Sequence, residues 1–195
     1  MLVLTAHYFL ILLAAAAAQA DPEVSTPPPG WYDAGNDPGS YAMILDRSVS
    51  YKGKGAGCIR SVNKPRGFGT LMQDFRAEIY RGKRVRMSAY AKVSEVQKWA
   101  GLWMRVDVGN KSVCFDNMRT RPLKGSQPWK RYEIVLDVPL DATKIAFGVL
   151  LDGEGAVWVD EFQFEVVGKE IPVTGDEQIH KDPQNLNFEE PKISS

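Results

Sequence analysis

Histidine is nearly missing: there are two in 195 residues, His7 and His180, close to opposite ends of the chain. Ser-His-Asp triads, Cys-His dyads and histidine-metal centres therefore lack their base or ligand. Cysteine is equally scarce, with two, Cys58 and Cys114, too few for a disulfide framework or a thiolate metal cage. An excess of one charge is also missing: 24 basic and 24 acidic residues cancel, so the chain has no general basic field for nucleic acid or an anionic membrane. No segment holds a convincing helical period of apolar residues. The glycine-rich run GKGAG, Gly53 to Gly57, leads into a strand pattern rather than a helix, which removes a phosphate loop. The main apolar run, Phe9 to Ala18, is short for a membrane span.

That run ends in Ala18-Gln19-Ala20, the small-x-small pattern of a signal-peptidase site. Residues 1–20 are expected to be a signal peptide, and residues 21–30 (DPEVSTPPPG) a proline-rich linker. Export to the periplasm or cell exterior follows. The run has no Lys or Arg before it, so a retained anchor or a misassigned start are the other readings. Beyond the linker, short apolar-polar alternations are punctuated by Gly, Pro and Asn. Val85, Met87, Ala89, Ala91 and Val93 share one strand face, and Tyr132, Ile134, Leu136 and Val138 share another. Many short strands with polar turns give an all-β, two-sheet jelly-roll sandwich over residues 31–167. A tail over residues 168–195 ends in a strand-like stretch at 185–190. Cys58 and Cys114 both fall in strands. In an oxidising compartment they make one disulfide, or else they are two small buried hydrophobes.

The most informative stretch is WAGLWMRVDVGNKSVCFDNM, Trp99 to Met118. With period two, Ala100, Leu102, Met104, Val106 and Val108 form an apolar face that belongs in a core. Trp99, Gly101, Trp103, Arg105 and Asp107 form the other face. A turn at Gly109-Asn110 sends the chain back toward Asp116 and Asn117 as a hairpin. Indole faces stack on sugars while Arg, Asp and Asn hydrogen-bond hydroxyls. The candidate ligand-binding residues are therefore Trp103, Arg105 and Asp107, with Trp99 at the rim, Tyr90 on the preceding strand, and Asp116 and Asn117 at the hairpin's return end, where only one of the two can share that face. The plainer reading buries Trp103 in the core and pairs Arg105 with Asp107 or Asp116. A carboxylate-pair glycosidase built on Asp107 and Asp116 is the weaker enzymatic alternative, and the chain is expected not to be an enzyme. Trp31, Trp129 and Trp158 are assigned to core or turn packing.

A series of small motifs runs in order along the chain: Lys52-Gly53-Lys54, Tyr80-Arg81-Gly82-Lys83, Gln127-Pro128-Trp129 and Val157-Trp158-Val159-Asp160-Glu161. In that order they resemble the galactose-binding-like jelly rolls that serve as carbohydrate-binding modules in secreted bacterial glycosidases. AGLWMRVD, FDNM and FGVLL are similar to a less characterised relative of those modules, found appended to bacterial regulators and hydrolases. The resemblance implies a secreted, non-catalytic module for a carbohydrate or similar polar ligand. It also implies a structural Ca²⁺ held by Asp160, Glu189 and backbone oxygen around Gly53; the other reading has Asp160 accepting backbone hydrogen bonds. The Asn-x-x-Phe-Glu type of strand that opens such modules stands here at the end, around Glu189. A circularly permuted jelly roll with a C-terminal closing strand, or a truncated second module, accounts for that. A different functional class is a protein-interaction or envelope-scaffolding sandwich. A sugar site requires a concave groove with Trp103 and Tyr90 exposed; a partner site requires a flat or edge-strand apolar patch.

Overall fold

A computed structural model describes residues 26–175. The signal-peptide expectation and the closing strand at 185–190, with Glu189, lie outside the described residues. Among those described, nine strands form an antiparallel β-sandwich. They are β1 (Tyr32–Gly35), β2 (Tyr41–Asp46), β3 (Ala56–Ser61), β4 (Phe68–Arg76), β5 (Arg84–Val108), β6 (Lys111–Asp116), β7 (Leu123–Asp137), β8 (Lys144–Asp152) and β9 (Ala156–Val167).

Strand β5 organises both layers. Its first half pairs with β7 and β9, and β9 continues through β3 to β2. Its second half pairs with β8 and β6, and β8 continues through β4 to β1. The sequence pattern predicts two strands here, separated by a turn near Ser94 to Lys98. The backbone instead stays extended for 25 residues and changes sheets through register shifts between Ala91 and Ala100. Glu95 takes a φ of 54° at that corner. Bulges bend a strand and strengthen its twist, so one strand can serve two sheets.

The alternating faces settle the register. Val85, Met87, Ala89, Ala91 and Val93 all point inward and are buried, as are Leu102, Met104 and Val106 from the second half of β5. They meet Ile59, Leu71, Val149, Leu151 and Val157 in one continuous core. An aromatic cluster closes one side, with Trp31 edge-on to Phe147 at 5.4 Å and Phe164 edge-on to Phe147 at 4.8 Å. The hairpin expected at Gly109-Asn110 joins β5 to β6, with Gly109 at a φ of 57°.

Candidate functional site

The outer face of the β1-β4-β8-β5-β6 sheet carries a second apolar cluster, separate from the core. Its buried members are Trp103, Ala146 and Leu150, with Phe68, Met72 and Trp99 packed around them. Strand register explains the grouping. Tyr32, Met72, Gly148 and Trp103 stand side by side across β1, β4, β8 and β5. The Trp103 indole crosses β8 beside Gly148 and donates from Nε1 to Thr70 Oγ1 on β4 at 2.7 Å. Thr70 in turn donates to the Val149 carbonyl at 2.8 Å. Trp103 is thus the floor of the sheet face and is only 6% exposed.

Above this floor lies an open groove of about 430 Å³. Trp99, Phe68 and Phe115 give it aromatic walls, and Asn36, Arg105, Asn117 and Asp152 bring polar groups to it. Phe115, on β6, is 38% exposed. Arg105 is fixed by a two-pronged pair, Nε to Asp107 Oδ1 at 2.8 Å and Nη2 to Oδ2 at 3.0 Å. Lys144 adds a second cation to Asp107 at 3.7 Å. At the groove's β1 side, the Tyr32 hydroxyl donates to Asp74 Oδ2 at 2.6 Å. Burial, and then this bond to Asp74, push the Tyr32 phenol up to about 12, so it stays protonated and can donate. Asn36 is held in place by accepting the Phe68 N–H at 2.7 Å.

Trp99, Trp103 and Arg105 come together as the period-two reading required, with Asn117 rather than Asp116 beside them, but their parts differ from those expected. Trp103 is not an exposed stacking surface, because its ring is spent on the sheet and on Thr70. Asp107 is buried and acts through Arg105. Asp116 stands opposite Met104, a core-facing residue, and is 2% exposed. Its carboxylate takes both Nη groups of Arg121, at 3.1 and 2.5 Å, and the Met118 N–H. Asp107 and Asp116 therefore face opposite sides of the sheet and do not converge as a catalytic pair. Tyr90 lies in the other sheet, stacked on Tyr51 with ring centroids 3.6 Å apart. The bend in β5 takes it away from the groove. Sequence reasoning missed Tyr32, Phe68, Asp74 and Phe115. Their signal was visible only as odd-even positions on strands whose pairing was unknown.

The other expected site residues can also be located. Cys58 is on β3 and Cys114 on β6, and both thiols are free. Cys58 stands opposite Ile44 and Trp158 and Cys114 opposite Val106, and no bridge joins them. Burial pushes the Cys114 thiol above its ordinary range. Asp160 Oδ2 accepts the Tyr51 and Lys52 N–H groups at 3.0 and 2.9 Å, and Oδ1 accepts that of Glu161 at 2.8 Å. Gly53 sits in the same turn with a φ of 76°. Asp160 thus accepts backbone hydrogen bonds, as the plainer reading has it, and among the described residues no three Asp, Glu, His or Cys side chains group as a metal site. Glu189, the other expected side-chain ligand, lies outside them.

No family model matches the chain. It is 43% identical over 167 residues to the uncharacterized HTH-type transcriptional regulator YbfP of Bacillus subtilis, an overlap covering 83% of this chain and 57% of that protein. The chain thus spans little more than half of that relative. Among solved structures, it is similar to the CBM22-1 xylan-binding domain of Paenibacillus barcinonensis Xyn10C, with a TM-score of 0.53 at 15% identity over 74% of this chain and 90% of that one. A xylan-binding domain of CBM 22 gives a TM-score of 0.53 at 19% identity, covering 73% of this chain and 90% of that one. The enzymatically active domain of bacteriophage CBA120 tailspike protein 4 gives 0.56 at 11% identity, over 71% of this chain and 20% of that one. The architecture of the described residues is the β-sandwich seen in carbohydrate-binding modules.

Proposed function

We propose that the chain is a non-catalytic binding module for a polysaccharide, which lies along the outer-face groove between β1 and β6. One observation carries this reading: an open groove with fixed aromatic walls and fixed polar groups stands on a sheet face that is otherwise covered by its own apolar floor. The groove is concave, but the Trp103 and Tyr90 rings expected to be exposed in it are not. Trp99 and Phe115 supply the stacking rings in their place, Trp103 holds the floor flat, and Arg105, Asn117 and Asn36 serve the hydroxyls. A sugar ring has one apolar face and a rim of hydroxyls, which suits such a surface. The leader-like residues 1–20 support action at the cell exterior or in the periplasm, and the near-neutral charge supports no nucleic-acid partner.

The test is a glycan array probed with the full chain and with Trp99→Ala, followed by titration calorimetry on each hit. Binding that falls at least about tenfold in the variant, with unchanged melting, supports the reading. Absence of binding to any glycan by folded protein rejects it. Repeating the titration in calcium and in EDTA tests the calcium expectation separately. A second reading follows from the likeness to YbfP: the same groove serves as the ligand-sensing part of a longer regulatory protein. Ligand titration of the full chain addresses both readings, since they share the groove.

A further inference from the structure

The groove does not end at Phe68. Asn36, which lines it, also lines a neighbouring hollow of about 290 Å³ formed with Asp37, Ser40, Lys64, Arg66 and Gly67. The two spaces adjoin at Asn36, in the turn between β1 and β2.

The β3–β4 loop beside it is built firmly. Asp37 Oδ2 accepts the Arg66 N–H at 2.8 Å, and Oδ1 accepts the Ser40 hydroxyl at 3.1 Å. Asn36 accepts the Phe68 N–H on the other side of Gly67. A Cβ at Gly67 would lie 2.1 Å from Asn36 Oδ1, so a side chain there would have to displace the asparagine. The backbone of residues 66–68 is thus fixed by the groove's own rim, and the Lys64 and Arg66 side chains project from a defined base.

The charge balance along the groove is uneven. Each carboxylate has a donor: Asp74 has Tyr32, Asp107 has Arg105 and Lys144, and Asp152 has Lys98 at 3.1 Å. Asp37 is spent on backbone and hydroxyl donors, which hold its carboxyl below the ordinary 3.8. Arg105 and Lys98 are likewise paired. Lys64 and Arg66 line this hollow with Asp37 as their one carboxylate, and Arg66 lies near enough to help lower its carboxyl. With two cations to one carboxylate, this end of the path carries a surplus of positive charge.

We propose that this end receives a carboxylate, so that the preferred ligand of the groove is an acidic polysaccharide carrying uronic acid residues. A uronate keeps the pyranose ring that Trp99 and Phe115 require and adds an anion that offsets this surplus at Lys64 and Arg66. Arg66 offers a planar fork to the carboxylate and Lys64 a point charge. The proposal rests on the groove being a glycan site, and it adds the class of glycan.

The experiment compares polygalacturonate, alginate and glucuronoxylan with their carboxyl-reduced counterparts, which keep the backbone and lose the charge. Affinity is measured for the full chain and for Lys64→Ala/Arg66→Ala at low and high salt. Neither side chain carries the loop's hydrogen bonds, so the double variant is expected to fold normally. The expected result is at least about tenfold tighter binding of one acidic polymer than of its reduced form. That preference disappears in the double variant and shrinks with salt, while affinity for the reduced polymer is unchanged. Equal binding of acidic and reduced forms, or a preference that survives the double substitution, overturns the uronate proposal and leaves the groove reading standing. No binding of any polymer, acidic or neutral, overturns both.

Discussion

Trp103 tests whether the sheet face has been understood, because two readings of it make opposite forecasts. If its indole were an exposed platform, replacement would remove binding and leave stability intact. The structure has it 6% exposed and bonded through Nε1 to Thr70 at 2.7 Å. Trp103→Phe keeps an aromatic ring but removes the N–H donor and part of the ring volume. Loss of the hydrogen bond costs about 1 kcal/mol, and the void costs about 1–2 kcal/mol more. The expected destabilisation is thus about 2–3 kcal/mol, measured by urea denaturation followed by far-ultraviolet circular dichroism, with the m-value unchanged. Thr70→Val leaves the indole N–H buried and unpaired, at about 1–3 kcal/mol. Because both substitutions break one bond, the double variant should fall short of the sum by about 1 kcal/mol. A cost below about 0.5 kcal/mol for Trp103→Phe, or strict additivity, would refute this placement of the ring.

Other expectations follow from the same geometry. Arg121→Ala leaves the Asp116 carboxylate, whose side chain is 3% exposed, without its cation; a loss of about 3–5 kcal/mol is expected by the same urea assay, and a loss under about 1 kcal/mol would mean that Asp116 is hydrated. Asp137 is held below its ordinary 3.8, first by its hydrogen bond to Arg84, and Asp37 by the Arg66 backbone N–H. Their contribution is full above the unfolded value of 3.8 and is lost as pH falls through the lowered folded values, so thermal melting should drop as the pH is taken below 3.8; a flat profile there contradicts these pairings. Both cysteines should react with a thiol reagent in denaturant, and dithiothreitol should leave the melting temperature unchanged. A reductant-sensitive melt would show that the thiols are bridged.

Much of the fold was legible because Val85 to Val93 of β5 and Tyr132 to Leu136 of β7 alternate, and alternation is what a half-buried strand requires. The corner inside β5 was not legible. Ser94, Glu95 and Lys98 read as a turn, and only pairing with β7 and β8 reveals that the strand bends without breaking. That bend decides the site. It places Tyr90 and Trp103 in different sheets, although both lie on β5. The faces of Trp99 and Arg105 were readable from period two, whereas which of Asp116 and Asn117 shares them was not. The depth of Trp103 was not, because it depends on Thr70 two strands away and on the bare Gly148 between them. Asp116 shared a hairpin with Asn117, but adjacent residues point to opposite faces, and Arg121 claims it.

Whether a glycan lies in the groove over Trp103 can be read from a ¹H–¹⁵N titration of the labelled chain with an oligosaccharide chosen from the array. The Trp99 indole and the amides around Arg105, Phe115 and Asn117 are expected to shift with one common affinity, while the Trp129 and Trp158 indoles stay still. Shifts confined to the Tyr51–Tyr90 face, with the Trp99 indole unmoved, would contradict that placement.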